Sequence, residues 1–223
     1  MFKRGFVMLA AFVLVFTLAG CGDDDSSPTS SSTTQMVPVE VTITVPGDVS
    51  DATTADDWTY FSFKTGAVVA ASQKGTKDWD LRILGTKFST NSGSTAEETD
   101  SGGGGGLLIV EESDLTKVTE APEAGYTVDV VAAIATMADP KPRVSIMPLL
   151  TKEDADDPNY DDNKWYTGRG SSLNADASKC YVVRCGNGHY ARMQLTNYTK
   201  GDNARTYTLS YNYTERADRK FVE

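Results

Sequence analysis

Residues 39–45, VEVTITV, alternate apolar and polar side chains without a break and stop at Pro46-Gly47. Strict period two puts Val39, Val41, Ile43 and Val45 on one face and Glu40, Thr42 and Thr44 on the other, the pattern of a half-buried strand. The same period recurs down the chain. Residues 58–63, WTYFSF, are aromatic and β-prone, end at Lys64-Thr65-Gly66 and lead into Ala67-Val68-Val69-Ala70, which predicts two strands and a turn. Residues 78–84, DWDLRIL, predict a strand with Trp79, Leu81 and Ile83 inward, and Leu107 to Val110 a short apolar one. The stretch TVDVVAAIA, residues 127–135, reads as a strand although its alanines also suit a short helix. It can pair with residues 143–147 across the turn Asp139-Pro140-Lys141-Pro142. Residues 180–185 and 190–195 flank Asn187-Gly188, a strong hairpin signal, and residues 206–213 supply a closing strand. Many short strands and no convincing helical pattern predict an all-β, antiparallel fold, either a twisted sheet or a sandwich.

The termini are read differently. Lys3 and Arg4 precede an apolar run that ends in small residues by position 20, the form of an export signal rather than of a mature helix. Leu18-Ala19-Gly20-Cys21 resembles the bacterial lipobox, so Cys21 is the expected lipidation site, with a plain secretory signal or an uncleaved anchor as the alternatives. GDDDSSPTSSSTTQ then follows with nothing that repays the entropy of ordering before Met36, so residues 21–38 read as lipidated cysteine and flexible tether. Its three aspartates resemble acidic signals that route some bacterial lipoproteins to the cell surface, and a solvated charge run explains them equally well. Residues 39–223 remain as one β domain, long enough for a core of its own.

Loss of Lys3 and Arg4 with the signal moves the net charge from −10 to −12. So acidic a surface, without a basic aromatic stripe, argues against nucleic-acid partners. Cys180 and Cys185 lie five residues apart, about 16 Å on an extended strand, which is beyond the reach of a disulfide. Two unpaired thiols are expected, and one histidine with two cysteines is a poor zinc set. The run from Gly102 to Gly106 lacks the Lys-Ser/Thr pair and helix start of a phosphate loop, so a flexible loop or close backbone packing is expected. KEDADDPNYDDNK, residues 152–164, could gather acids around Ca²⁺ but lacks the central Gly and distal Glu of an EF-hand, which favours a solvated loop. His189, the chain's one histidine, is the first residue after the Asn187-Gly188 turn and has no nucleophile or orienting acid nearby in sequence. It reads as a bystander, and no enzymatic activity is expected.

Taken in order, the lipobox, the polar tether and several spaced motifs resemble the HmuY family of bacterial haem-binding lipoproteins. The motifs are Trp58, Tyr60, Phe61, Ser62, Phe63 and Gly66; Trp79-Asp80; Gly125-Tyr126-Thr127-Val128-Asp129-Val130; and Val182, Val183, Arg184, Gly188, Ala191 and Gln194. The resemblance runs from about Val39 to Tyr213. It implies an all-β fold that takes haem between loops at one end and passes it to an outer-membrane TonB-dependent receptor. It also implies two axial iron ligands, histidines in some members and methionines in others, one from the stretch after the GYTVDV strand and one between the later tryptophan and the final hairpin. The first stretch offers Met137 and Met147. The second, residues 165–179, contains neither His nor Met, and Tyr166 is its one conventional iron donor.

The expected function is therefore a cell-envelope, outer-membrane lipoprotein that binds haem and hands it on for iron acquisition. The alternative is the same scaffold without iron ligands, binding another small molecule or a protein partner. An envelope hydrolase is a third reading, with no catalytic constellation to support it.

Overall fold

Antiparallel pairing joins the strands throughout the computed structural model, which describes residues 34–46, 57–134, 141–156 and 164–223. A five-stranded sheet places β1 (Val39–Pro46) beside β13 (Ala204–Thr214), followed by β12 (Tyr190–Lys200), β11 (Cys180–Arg184) and β6 (Gly106–Val110). A four-stranded sheet has the order β3 (Ala67–Val69), β2 (Thr59–Ser62), β4 (Leu81–Leu84) and β5 (Lys87–Thr90). Two short hairpins pair β7 (Val130–Ala133) with β8 (Arg143–Ile146), and β9 (Tyr166–Thr167) with β10 (Asn174–Ala175). Ile43, Val45, Tyr181, Val183, Met193 and Leu209 of the first sheet share one buried cluster with Phe61, Leu81, Ile83 and Phe88 of the second, so the two sheets form a sandwich. Each such side chain contributes about 1.5–3 kcal/mol on leaving water. All described strands lie within the compact unit Thr33–Glu223, which carries its whole core with it.

Several strands are covered on both faces. On β11, Tyr181 and Val183 enter the main core, while Cys180 and Val182 pack outward against Leu115, Val118, Ala121 and Phe221. On β12 the inward set is Ala191, Met193 and Leu195 until a register shift between Leu195 and Asn197 moves the phase and turns Tyr198 inward. Cys185, one residue past β11, enters the main core while Cys180 packs on the outer side, and both are free thiols, as their spacing predicted. Burial pushes the Cys180 thiol up to about 11 and Cys185 also well above the usual range, which leaves both protonated and unreactive.

Two-sided burial forces polar side chains to be paired in place. Arg192 is fully buried on the outer face of β12, directly opposite Asn212, and its Nε donates to Asn212 Oδ1 at 2.7 Å. Its remaining N–H groups donate to the carbonyls of Thr116, Val118 and Met36, and the guanidinium lies over the Phe221 ring. Asn212 in turn donates to the Val37 carbonyl. One cation and one amide thereby tie the N-terminal segment and the covering loop to the sheet.

The two aspartates of the recognised motifs have the same kind of role. Asp80 accepts from the Phe63 backbone N–H at 2.7 Å and sits against the Cys185 thiol. Asp129 accepts from the backbone and hydroxyl of Thr90 and from the hydroxyls of Ser92 and Thr95, which clamps the short helix α1 (Gly93–Glu98) to the start of β7. These residues hold loops together rather than facing a ligand.

Four expectations need adjustment. Trp79 does not share a face with Leu81 and Ile83: the strand begins only at Leu81, and Trp79 joins Trp58, Tyr60 and Leu84 in a separate cluster. Between residue 84 and the glycine run, where the sequence predicts no element, lie β5 and α1, because Ser89, Thr90 and Thr95 are buried with their hydroxyls hydrogen bonded. Ordered chain begins before residue 39: Gln35 bridges Val222 and Met36 N–H donates to the Phe221 carbonyl. Val39 is exposed although it shares the alternation of Ile43 and Val45. The stretch after Asp129 is strand rather than helix, and it pairs with β8 as predicted. The glycine run packs closely: a Cβ on Gly105 would stand 2.7 Å from the Asn91 carbonyl oxygen and 2.8 Å from that of Arg184.

Arg192→Ala should therefore cost about 3–5 kcal/mol of stability in urea unfolding, because several carbonyls lose their donor at once. A loss below about 1 kcal/mol would show that water replaces it freely. Burial raises both Asp80 and Asp129 from 3.8 to about 6. With the folded value above the unfolded one, each contributes stability that is fully present below about pH 4 and lost as pH rises through about 6, up to about 3 kcal/mol per carboxyl. Carboxyl carbon titrations by NMR should place both midpoints near 6. Midpoints below about 4 would contradict this.

Candidate functional site

Trp165 fixes the segment that follows it. Its indole is fully buried, donates to the Thr86 carbonyl at 3.1 Å, and meets the rings of Phe88, Tyr198 and Tyr207 edge-on at 5.8, 5.0 and 5.2 Å. Its backbone N–H donates to the Leu150 carbonyl, and its own carbonyl accepts from Asp176 N–H. The next residue, Tyr166, cannot follow it into the core and stands half-buried against the Trp165 ring at 5.0 Å. Lys164 Nζ lies 5.7 Å from the centre of the Tyr166 ring. β9 and β10 then close the loop, with Ala175 opposite Tyr166. At its tip Gly168 has φ +88°, and a Cβ there would stand 2.0 Å from the Ser172 carbonyl oxygen.

Two concavities meet at Tyr166. A hollow of about 350 Å³ is lined by Lys152, Lys164, Tyr166, Gly168, Arg169, Gly170 and Leu173. A narrow crevice of about 50 Å³ is lined by Thr86, Lys87, Ile134, Thr151, Lys152 and Tyr166. Ile134 follows β7 directly, so the crevice brings the stretch after the GYTVDV strand against the segment after Trp165. Among the described residues every charged side chain in the two linings is basic. Burial and the neighbouring Arg205 hold the Lys87 ammonium below the ordinary lysine range.

The residues singled out in the sequence fall as follows. Tyr166 lines both concavities. Met147 is fully buried in the main core, its backbone N–H donating to Phe88 and its carbonyl accepting from Leu150 and Thr151. Met137 and Cys21 lie outside the described residues, Met137 three positions beyond Ile134. His189 sits at the β11–β12 turn, its ring 6.1 Å from that of Tyr213, its N–H bonded to Asn187. Tyr198 lies nine positions further along the chain, about 30 Å of strand, so His189 stands at the opposite end of β12 from Trp165 and Tyr166. Of the acidic stretch 152–164, Asp154 is buried and ion-paired with Lys141, while residues 157–163 lie outside the described residues. Among the described residues no group of three or more His, Cys, Asp or Glu could hold a metal ion. No described helix is long and apolar enough to cross a membrane.

Sequence reasoning missed Lys87, Lys152, Lys164 and Arg169 as a group. They come from three separate segments, and no local spacing marks them.

Among solved structures the chain is similar to apo PinO from Porphyromonas gingivitis, with 16% identity, TM-score 0.51, and 82% of this chain and 100% of that chain covered. It is also similar to the apo HmuY analog TFO of Tannerella forsythia, with 16% identity, TM-score 0.47, and 80% and 98% covered. A protein from Bacteroides vulgatus ATCC 8482 named as HmuY-like and haem-binding gives 21% identity, TM-score 0.46, and 82% and 99% covered. No curated protein matches the chain. The PinO likeness shows the shared fold, and the HmuY protein family matches residues 54–213, so the chain belongs to the HmuY family.

Proposed function

We propose that this protein is a cell-envelope lipoprotein, anchored in the outer membrane through Cys21, that binds haem in the hollow at Tyr166 and hands it to an outer-membrane TonB-dependent receptor for iron acquisition. The observation that carries the reading is the convergence at Tyr166 of the two segments expected to bear the iron ligands, around a lining with no acid among its described residues. Its donor set fits a porphyrin in two respects. Basic side chains match propionates, and the ring of Tyr166 with Leu173 and Ile134 offers apolar surface for a flat macrocycle. For the iron the described lining supplies one oxygen donor, the Tyr166 phenol. Met147 could serve only by leaving the core. Met137 is the methionine adjoining the crevice in sequence. Haem would be cargo here, and the protein's part is to bind, shield and release it.

The absence of His and Met from residues 165–179 favours a second reading, in which the scaffold holds a different flat or apolar molecule or a protein partner through the same loops.

A haemin titration of the Thr33–Glu223 unit, read by absorbance in ferric and ferrous states, tests the first reading. A saturable Soret shift is expected, weakened about tenfold by Tyr166→Phe or Met137→Ala. Met147→Ala should leave affinity alone but cost about 2–5 kcal/mol of stability, as expected for a buried Met. A flat titration by a folded protein would retire the haem reading in favour of the second. Labelling with a radioactive fatty acid should mark the full chain and be lost in Cys21→Ser; equal labelling of both would refute the anchor.

A further inference from the structure

The lining of the site runs against the composition of the chain. Acidic side chains outnumber basic ones 31 to 21, yet among the described residues the hollow and crevice together present Lys87, Lys152, Lys164 and Arg169 and no Asp or Glu. No ion pair engages Lys87 or Arg169 among the described residues, and Lys87 is half-buried beside a second cation, Arg205. Holding an ammonium out of water next to a like charge is costly, and an anion entering the crevice would relieve that cost. The four cations also stand on both sides of Tyr166: Lys87 in the crevice, Lys164 and Arg169 in the hollow, and Lys152 at the join. Such an arrangement suits a flat ligand carrying two carboxylates better than a neutral one. Iron, by contrast, meets a single donor in the described lining.

We propose that this site recognises its ligand through the ligand's carboxylates, and therefore takes dianionic tetrapyrroles whether or not they carry iron. The inference rests on reading the hollow as the haem site. Charge-assisted contacts from partly desolvated cations supply the affinity, and the aromatic and apolar lining excludes small anions that lack a flat face. The Tyr166 phenol then adds discrimination for iron without being required for entry.

The test titrates the Thr33–Glu223 unit with metal-free protoporphyrin IX, with its dimethyl ester and with haemin, following tryptophan fluorescence. Metal-free porphyrin should still bind saturably, about ten- to a hundredfold more weakly than haemin for want of iron coordination, and its diester at least about tenfold more weakly again. Lys87→Met and Arg169→Gln should each weaken both free acids about three- to tenfold and leave diester binding unchanged. Arg169 is exposed, so Arg169→Gln keeps the test valid even where Lys87→Met unfolds. If haemin binds and metal-free porphyrin does not, or if the diester binds as tightly as the acid, carboxylate recognition is overturned while the haem reading stands. If none of the three binds, both fall together.

Discussion

Burial of central strands on both faces is the constraint from which the rest of this structure follows. A strand with one wet face can send its polar side chains to water; β11, β12 and β4 cannot. Each polar group on their outer faces must find a partner where it stands, or the cost of desolvation falls on the whole fold. Arg192 meets this with Asn212 and the carbonyls of Met36, Thr116 and Val118. Arg82, equally buried on β4, pairs with Glu98 at 2.9 Å and lies 4.1 Å over the Trp58 ring. These two cations bind the covering layers to the two sheets, and the loops that shape the site hang from the sandwich so fixed.

The strands were largely legible because their signal is local. Alternation in residues 39–45, the Asn187-Gly188 turn and the aromatic run at 58–63 each say what they form without reference to distant residues. β5 was not legible. Of Lys87, Phe88, Ser89 and Thr90 a single side chain is apolar, and the strand holds because Thr90 and Phe88 meet Asp129 and Thr151 from far along the chain. The N-terminal boundary escaped for a similar reason: Met36 and Val37 are held by their carbonyls, which composition does not display. Trp79 shows the opposite failure, a regular alternation extended two residues past the start of the strand.

The site was legible in part. Tyr166 was identified as the one iron donor of its segment, and the structure places it where two concavities meet. His189, a bystander in the sequence reading, lies beside Tyr213 at the β11–β12 turn. The basic lining was not legible, because it is assembled by tertiary contacts between β5, the loop after β8 and the β9–β10 hairpin. An overall acidic surface with a locally basic hollow separates two tasks. The surface repels polyanions at long range, and the lining acts within a few ångströms on whatever reaches it.

The most direct measurement uses the paramagnetism of ferric haem. Haemin added to an isotope-labelled Thr33–Glu223 unit broadens the NMR signals of residues near the bound iron. The account predicts broadening at Ile134, Tyr166, Gly168 and Leu173, with Asn187, His189 and Tyr213 unchanged. Broadening centred on His189 and Tyr213 would contradict it and move the site to the other end of the sandwich.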